Sequence, residues 1–378
     1  MSSKKILYFV TEDWYFVSHR LPLAVAARAA GYDVTVVTRA QEHGRIIKEA
    51  GLRLIPLELR RRGMNPFIES ASLLRLAAIY RRERPDIAHH VAMKPVLYGS
   101  LAALAARTPH VVNALAGLGW LFTSSSPQAR ILGGVVRTLF SILLKRGAVI
   151  VQNPDDARWL IQHGVPAPCV HLIRGSGVDV KMFMPRLEAE GEPLVMLASR
   201  MLCDKGVVEF VEAARLLRKS GARARFVLVG DTDTEHPASI TSARLAQWQQ
   251  EGIVEWWGRR DDMPAVLAQA TVVCLPSYRE GVPKVLIEAA ACGRPIVTTD
   301  VPGCREIVGE GENGLRVPVR DAEALAAAIQ RLLNDATLRQ RMGERGRALV
   351  EAEFSTEKVI AETLALYRQL AEPGVAAG

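Results

Sequence analysis

Two carboxylates with seven residues between them mark the stretch of this sequence that is best suited to chemistry. Glu280 and Glu288 lie in the segment 278–293, which reads YREGVPKVLIEAAACG. Nearly all neighbours of Glu288 are apolar, and an unpaired buried carboxylate is costly. Two interpretations of Glu288 are open: an ion pair with a nearby Arg or a face turned to water, or hydrogen bonds to the hydroxyl groups of a ligand.

Arg200 and Lys205 form a second candidate pair. They follow a predicted strand that ends at Ser199, and they lie in the loop that leads to the next helix. Two cations at such a point can bind a diphosphate and neutralise the charge that develops as it leaves. The alternative is a structural Arg beside a solvated Lys.

Two loops after later strands are weaker candidates. The segment 230–233 reads GDTD and looks like an acidic metal-binding motif, but we interpret it as a strand-end turn in which Asp side chains cap backbone groups. No other acidic or histidine cluster in the sequence supports a cation site, so we expect no metal cofactor. The segment 256–260, WWGRR, either packs a nucleobase with its backbone or places its Trp side chains in the core and at its rim.

The elements that must position these side chains alternate between strand and helix. Apolar, β-branched runs predict strands at 6–10, 34–38, 52–57, 87–91, 111–114, 148–152 and 170–173. After a break rich in Gly and charge at 174–191, the alternation restarts with strands at 194–199, 226–229, 254–257, 272–275 and 295–299. This pattern predicts an α/β fold with two Rossmann-like, doubly wound parallel sheets, and a length of 378 residues favours two domains.

The geometry of such sheets predicts where the candidates meet. Ligands of open α/β sheets bind at the carboxyl ends of the strands, so two facing sheets would place them in a central cleft between the domains. Pro283 suits the first position of a helix and Gly293 its end. We therefore expect the amides at the start of this helix to face an anion.

The first half contributes candidates after three of its strands. The segment 12–19, EDWYFVSH, is predicted as an aromatic loop that stacks on a sugar or lies against lipid. His89, His90 and Lys94 are expected after the fourth strand, where Lys94 is placed to reach an acceptor phosphate. Asn113 is expected after the fifth strand.

Charge is distributed unevenly along the chain. The first 175 residues carry 23 Lys and Arg against 11 Asp and Glu, a net +12, whereas the remainder carries 25 against 29, a net −4. A basic half suits nucleic acid, anionic lipid or phosphorylated substrates, although solvated helix faces explain any single cluster equally well. The sequence shows no nucleic-acid recognition motif, and we expect no such partner.

Targeting signals and cysteines indicate the compartment. The sequence contains no visible signal peptide, and the most apolar helix, at 131–144, is too short to span a bilayer. The five cysteines are scattered without a CxxC pair, which fits a reducing cytosol. We expect a cytoplasmic protein.

Taken together, these motifs closely resemble those of the retaining glycosyltransferases of family GT4, which have the GT-B fold. The resemblance rests on Arg200 with Lys205 and Gly206, followed at 280–295 by a match to the pattern EGxPxxxxEAxAxGxP. It extends to the segment 86–103 and to the final helix. Within GT4 the sequence is most similar to the bacterial N-acetylgalactosaminyltransferases that extend lipid-linked glycans.

The resemblance implies roles for the donor-site residues. Arg200 and Lys205 would bind the donor diphosphate, Glu288 the ribose hydroxyls and Glu280 the hydroxyls of the transferred sugar. Three of these residues (Glu280, Arg200 and Lys205) would be catalytic, and the remaining donor contacts would come from Gly281, Val282, Pro283, Lys284 and Arg260. Many GT4 members have a His where this chain has Ala116, and we expect His19 or Asn113 to replace it beside Lys94 on the acceptor side.

The resemblance also implies domains and partners. It predicts an acceptor-side domain over 1–175, a nucleotide-sugar-binding domain over 176–354, and a C-terminal helix over 355–378 that packs back on the first domain. The donor would be a UDP-sugar and the acceptor a polyprenyl-diphosphate-linked saccharide, as in the synthesis of O-antigen, capsule or protein-linked glycans. The basic first half, including residues 60–62, would bind the anionic inner face of the plasma membrane. The alternative is a non-catalytic, nucleotide-sugar-binding subunit of a synthase complex.

Overall fold

The computed structural model describes residues 3–59, 66–115, 117, 140, 142–188, 190–234 and 236–372. The chain divides into two compact units. The first comprises Met1–Ser176 together with Glu357–Gly378, and the second is Gly177–Thr356.

Each unit is built on one parallel sheet. The first unit contains β1 (Lys5–Glu12), β2 (Asp33–Arg39), β3 (Arg53–Pro56), β4 (Ile87–Val91), β5 (His110–Ala114), β6 (Ala148–Val151) and β7 (Val170–Leu172), in the order β3-β2-β1-β4-β5-β6-β7. The second contains β8 (Leu194–Ala198), β9 (Arg225–Val229), β10 (Glu255–Trp256), β11 (Val272–Leu275), β12 (Ile296–Thr299) and β13 (Gly314–Val317), in the order β10-β9-β8-β11-β12-β13. Both orders are those of doubly wound sheets, so the predicted α/β fold class with two such domains is confirmed.

Helices connect the strands, as right-handed crossovers between parallel strands require. Within the described residues they are α1 (Asp13–His19), α2 (Leu21–Ala29), α3 (Gly44–Glu49), α4 (Pro66–Glu83), α5 (Met93–Ala106), α6 (Pro154–Gln162), α7 (Val207–Lys219), α8 (Ser242–Gln250), α9 (Met263–Leu267), α10 (Lys284–Ala291), α11 (Cys304–Ile307), α12 (Ala322–Asn334), α13 (Ala336–Glu353) and α14 (Thr356–Ala371). In this part of the chain no helix has both the length and the hydropathy needed to cross a bilayer.

The last helix, α14, belongs to the first unit although it follows the second in sequence. Its side chains Val359, Leu366 and Tyr367 are buried in a hydrophobic cluster that also contains residues of β1, β4 and α2. The Tyr367 hydroxyl lies 2.9 Å from that of Tyr8 and also hydrogen-bonds to Nδ1 of His89. Burial holds the pKa of His89 well below its ordinary value, so this imidazole is neutral at physiological pH.

The two ends of the second unit lie side by side. The Val178 amide donates to the carbonyl of Phe354, and the Thr356 amide donates to the carbonyl of Val178, each at 3.0 Å. Gly177 has a φ of +72°, and a Cβ there would lie 2.6 Å from the Cα of Thr356. This close backbone approach requires glycine.

Three expectations for the first unit were wrong, and one of them concerns Asn113, which was expected after the fifth strand but lies inside β5 and is fully buried. The segment expected as an aromatic loop is the helix α1, which follows β1 directly and buries Phe16 completely. His89 and His90 do not follow the fourth strand but lie inside β4, and both are fully buried. Three other predictions concern residues outside those described: the basic run 60–62, Ala116 and most of the apolar helix expected at 131–144.

Candidate functional site

The candidate residues of the second unit lie where its strand order reverses. The neighbours β8 and β11 pair in parallel, and the chain proceeds outward from them in opposite directions. Ligands of doubly wound sheets bind outside the carboxyl ends of the strands at such a reversal. The loop after β8 carries Arg200 and Lys205, and the loop after β11 carries Ser277 and Glu280.

Lys205 and Glu280 form an ion pair across this reversal. The Lys205 Nζ lies 2.5 Å from Glu280 Oε1, and both side chains are largely buried. The Ser277 hydroxyl donates to the same carboxylate oxygen at 2.7 Å. From the described part of the chain no hydrogen bond reaches Glu280 Oε2. One oxygen of this carboxylate is therefore held, and the other retains its capacity to accept.

Two hydrogen bonds of Tyr278 hold the loop after β11 against the loop after β8 and against α7. The Tyr278 amide donates to the carbonyl of Asp204 at 2.9 Å, and the Tyr278 hydroxyl donates to Glu209 at 2.6 Å. Gly206 adopts a φ of +72°, and a Cβ there would lie 2.1 Å from the carbonyl oxygen of Pro276. Glycine is thus required beside Lys205 because the neighbouring loop passes directly over it.

The third side of the site is formed by the turn between β12 and α11. Gly303 has a φ of +82°, and a Cβ there would lie 1.9 Å from the carbonyl oxygen of Gly281. The Thr299 hydroxyl, at the end of β12, donates to the carbonyl of Ser277. Sequence reasoning did not single out Ser277, Thr299 or Gly303. The only signal for Ser277 was its position three residues before Glu280.

Arg200 is paired with an acidic residue of the loop after β9. Its NH1 lies 2.7 Å from Asp233 Oδ2, and the Asp233 amide in turn donates to the hydroxyl of Ser239 at 3.0 Å. The second Asp of the DxD-like segment is therefore the counter-ion of Arg200. Among the described residues no group of three or more His, Cys, Asp or Glu side chains is arranged to hold a metal ion.

Glu288 lies inside α10 and is paired with a lysine. The helix begins at Lys284, with Pro283 as its N-cap residue, and Lys284 Nζ lies 3.1 Å from Glu288 Oε1. Burial raises the pKa of Glu288, and the Lys284 ammonium opposes that rise. The ion pair considered from the sequence therefore exists, with Lys284 rather than an Arg as the partner, and it does not remove the cost of burying the carboxylate.

Arg260 lies further along the same edge of the sheet. It follows β10, which is two strands away from β8, and its guanidinium binds both carboxylate oxygens of Asp262 at 2.8 and 2.7 Å. This loop is tied to the end of β9, because the Gly230 amide donates to the carbonyl of Gly258 at 2.7 Å and Trp256 Nε1 donates to the carbonyl of Gly230 at 2.8 Å. The structure thus joins Lys205 directly to Glu280 and holds Arg260 apart from them.

The candidates of the first unit lie on three different elements. His19 ends α1, and its ring stacks on Tyr15 with 4.2 Å between centroids. Lys94 is on α5, with Nζ 2.8 Å from Glu69 Oε1. Asn113 lies inside β5 and is fully buried.

Asn113 belongs to a buried polar network. Its Oδ1 lies 2.8 Å from Nδ1 of His90, whose Nε2 lies 2.9 Å from the hydroxyl of Tyr80. Burial lowers the pKa of His90 to about 4, so the ring is neutral near pH 7. A neutral ring donates from Nδ1 to Asn113 and accepts at Nε2 from Tyr80, whereas Asn113 Nδ2 is buried without a hydrogen-bond partner among the described residues.

Comparisons with known proteins agree with this architecture. Residues 5–153 match the glycosyl transferase 4-like family model, and residues 192–335 match the model of the glycosyl transferases group 1. The chain is 29% identical to an N,N'-diacetylbacillosaminyl-diphospho-undecaprenol alpha-1,3-N-acetylgalactosaminyltransferase of Campylobacter jejuni, over 91% of this chain and 92% of that protein. It is 24% identical to the capsular polysaccharide biosynthesis glycosyltransferase CapM of Staphylococcus aureus, over 97% of each chain.

A solved structure is similar over nearly the whole chain. The crystal structure of Anabaena Alr3699/HepE in complex with UDP and glucose superposes with a TM-score of 0.77 at 19% identity, over 96% of this chain and 99% of that one. The family models that match the two halves and the relatives in sequence are all glycosyltransferases, and the fold is shared with the solved structure. The chain is therefore a glycosyltransferase with the GT-B fold, whose first half matches the glycosyl transferase 4-like model and whose second half matches the model of group 1.

Proposed function

We propose that this glycosyltransferase moves an N-acetylhexosamine such as GalNAc from a UDP-sugar to a polyprenyl-diphosphate-linked glycan, with retention of anomeric configuration. The proposed location of the donor site is supported above all by the ion pair between Lys205 and Glu280, which lies where the strand order reverses. The acceptor class is supported by the similarity over 91% of the chain to a transferase whose name specifies a diphospho-undecaprenol saccharide. The nucleotide is supported by the fold shared with a protein crystallised with UDP.

The two cations of the site would bind the donor diphosphate. Arg200 and Lys205 each have a carboxylate partner, Asp233 and Glu280, which the phosphate oxygens would share or replace. Each cation lies at the carboxyl end of the sheet, where a diphosphate is also favoured by nearby backbone amides. These side chains supply the charge neutralisation that a divalent ion provides elsewhere, so we propose a reaction without a metal cofactor.

The remaining donor contacts come from α10 and the loop before it. Glu288 would accept hydrogen bonds from the ribose hydroxyls, and the backbone at 281–284 would line the sugar and the phosphates. Glu280 would accept from a hydroxyl of the transferred sugar through Oε2. The buried carboxylate of Glu288 would thereby gain donors to complement its pairing with Lys284.

The chemistry would be a substitution on one face of the sugar. The bond from the anomeric carbon to the diphosphate oxygen breaks, and the acceptor hydroxyl forms the new bond from the same side. The proton of that hydroxyl passes to the departing diphosphate, which Arg200 and Lys205 stabilise as its negative charge develops. No oxidant, reductant or further reactant is required.

The acceptor would be reached at a membrane surface. We propose that the protein is cytoplasmic and associates peripherally with the inner face of the plasma membrane, where polyprenyl-linked glycans are extended. The exposed cations Arg81, Arg82, Arg84, Lys145 and Arg146 of the first unit would be attracted to its anionic lipids. Lys94 would contact an acceptor phosphate, with His19 and Asn113 as the other acceptor-side candidates.

Donor and acceptor are tested together by a transfer assay. Radiolabelled UDP-, GDP- and ADP-sugars are incubated with the protein and an undecaprenyl-diphosphate-linked saccharide in detergent, with and without EDTA. We expect product from a UDP-N-acetylhexosamine only, at the same rate in EDTA. Transfer from GDP-mannose alone, or complete dependence on added metal, would contradict the proposal.

Two substitutions test the site in the same assay. We expect Glu280→Ala and Arg200→Ala each to lower kcat/KM by about 100-fold, since each removes a charged contact at the reacting centre. Arg225→Ala is the matched control, because Arg225 begins β9 at the opposite edge of the same sheet, is exposed to a similar degree, and pairs with Glu255. Full activity in both site variants would refute the assignment.

A further inference from the structure

The hydroxyl of Ser277 lies in the interior beside the carboxylate of Glu280. Ser277 has no exposed surface, and its hydroxyl donates to Glu280 Oε1, the same oxygen that binds Lys205. We propose that Ser277 is a positioning residue that orients the Glu280 carboxylate so that Oε2 accepts a hydroxyl of the donor sugar. This inference rests on the proposed function, because it assigns the sugar side of the same donor site.

Ser277 is needed because Lys205 has two roles. A diphosphate carries more negative charge than one carboxylate, so the Lys205 ammonium is expected to move part of its interaction to the donor when it binds. The hydroxyl of Ser277 is neutral and lies in the protein interior, where the phosphate exerts no comparable pull. Glu280 therefore keeps one fixed donor on Oε1 while its ion pair with Lys205 is shared.

The surroundings of Ser277 fix the direction of its hydroxyl. The carbonyl of Ser277 accepts from the Thr299 hydroxyl on β12, and the following amide, that of Tyr278, donates to the carbonyl of Asp204. The backbone on both sides of the hydroxyl is thus tied to two neighbouring segments. A side chain held in this way can orient a carboxylate at little entropic cost when substrate binds.

The arrangement separates the affinity for the sugar from the affinity for the nucleotide. UDP lacks the transferred sugar and therefore has no hydroxyl placed to donate to Oε2, so its binding depends on the contacts proposed for the ribose and the diphosphate. A UDP-sugar gains the additional contact with Oε2. Loss of the Ser277 hydroxyl is therefore expected to weaken binding of the UDP-sugar selectively, whereas a general loss of structure would weaken both ligands.

The experiment compares the two ligands by isothermal titration calorimetry. UDP and UDP-N-acetylgalactosamine are titrated into the full-length wild type and into Ser277→Ala. We expect the affinity for the UDP-sugar to fall about tenfold, the effect of one hydrogen bond to a charged group, and the affinity for UDP to change less than about twofold. Ser277→Cys keeps a side chain of similar volume with a weaker donor. We expect its affinity for the UDP-sugar to lie between those of the wild type and Ser277→Ala.

Thr298→Val provides the matched control. Thr298 is equally buried, and its hydroxyl donates to the carbonyl of Leu275 at 2.7 Å without contacting Glu280. We expect it to leave both affinities unchanged. Equal weakening of UDP and UDP-sugar in both Ser277 variants, or no weakening of either ligand, would overturn the inference while the proposed function stands. A wild type that binds UDP but not the UDP-sugar would overturn the proposed donor, and the inference with it.

Discussion

At the scale of single residues, Glu288 shows a conflict between stability and binding. Its carboxylate is buried inside α10, and the lysine beside it does not prevent burial from raising its pKa. Residues that destabilise the folded chain are retained where a ligand uses them. The proposed contact with the ribose hydroxyls gives Glu288 such a use.

Glu288→Gln tests this conflict through its pH dependence. A folded-state pKa above the unfolded value means that ionisation of Glu288 costs stability, and that this cost appears as the pH rises through the range between the two pKa values. The Gln variant has no such cost, so we expect its thermal midpoint to exceed that of the wild type at neutral pH and to converge with it in acid. We expect its affinity for UDP to fall about tenfold.

The measurements for Glu288→Gln are thermal unfolding across pH and calorimetry with UDP. A lower midpoint for the variant at neutral pH would mean that the ion pair with Lys284 outweighs the cost of burial. Unchanged affinity for UDP would remove Glu288 from the ribose site. The two readouts are independent, because the first concerns the folded chain alone.

At the scale of elements, the proposed donor site depends on glycines at which two loops nearly touch. Gly303 directly precedes α11, and the carbonyl of Gly281 occupies the space that a Cβ at Gly303 would need. The segment that carries Glu280 is therefore positioned by a steric contact as well as by hydrogen bonds. Any side chain at Gly303 must push this segment away.

Gly303→Ala and Gly311→Ala separate this contact from backbone strain. Both glycines have a positive φ, but a Cβ at Gly311 would meet nothing within 4 Å. We expect Gly311→Ala to cost about 1 kcal/mol from strain alone and to leave donor affinity unchanged. We expect Gly303→Ala to cost at least twice as much and to weaken UDP-sugar binding, as measured by urea unfolding and calorimetry. Equal effects of the two substitutions would contradict a steric role for Gly303.

The sequence predicted the elements of the candidate site in the second unit better than those of the first unit. The apolar run before Pro276 and the pattern from Pro283 to Gly293 predicted β11 and α10 within a residue or two, because strand and helix signals there agree with the tertiary structure. The prediction of a loop at 12–19 was wrong because it could not include a tertiary contact. The Asp13 carboxylate accepts hydrogen bonds from the backbone amides of Gln41 and His43. These contacts hold Asp13, the first residue of α1, and they come from residues 28 and 30 positions away in sequence.

The candidate site was predictable only in part for a similar reason. Residue types and loop positions indicated Arg200, Lys205, Glu280 and Glu288 as a group. Which charges pair, and which oxygen of Glu280 is held, depends on how the loops after β8, β9 and β11 approach each other. The DxD-like segment is an example, because Asp233 forms an ion pair with Arg200, which is 33 residues away in sequence.

At the scale of the whole molecule, α14 is held to the first unit by a buried polar contact as well as by apolar packing. The Tyr367 hydroxyl bridges the hydroxyl of Tyr8 and the imidazole of His89. These partners are 359 and 278 residues away in sequence, so no local pattern could have predicted the pairing. All three side chains are fully buried.

Tyr367→Phe tests this contact. Removing the hydroxyl leaves two buried polar groups without their partner, so we expect a loss of about 1–3 kcal/mol in the unfolding free energy of the first unit. Tyr32→Phe is the control, because the Tyr32 ring contacts Tyr367 edge-on but lies in a less buried position. Urea unfolding followed by hydrogen exchange would assign the change to the first unit. Equal stability of the two variants would show that apolar packing alone holds α14.

The hydrogen bonds between Val178 and the segment 354–356 make the second unit an insertion in the first, with its entry and exit points adjacent. Such a segment is a natural cassette for exchange between related enzymes, because both junctions fall at a single place on its surface. Under the proposed function, replacing 177–356 with the corresponding segment of a relative is expected to change donor preference and to leave the first unit intact. The same adjacency would allow a circularly permuted form of the second unit by itself, since one short linker could join residue 356 to residue 177.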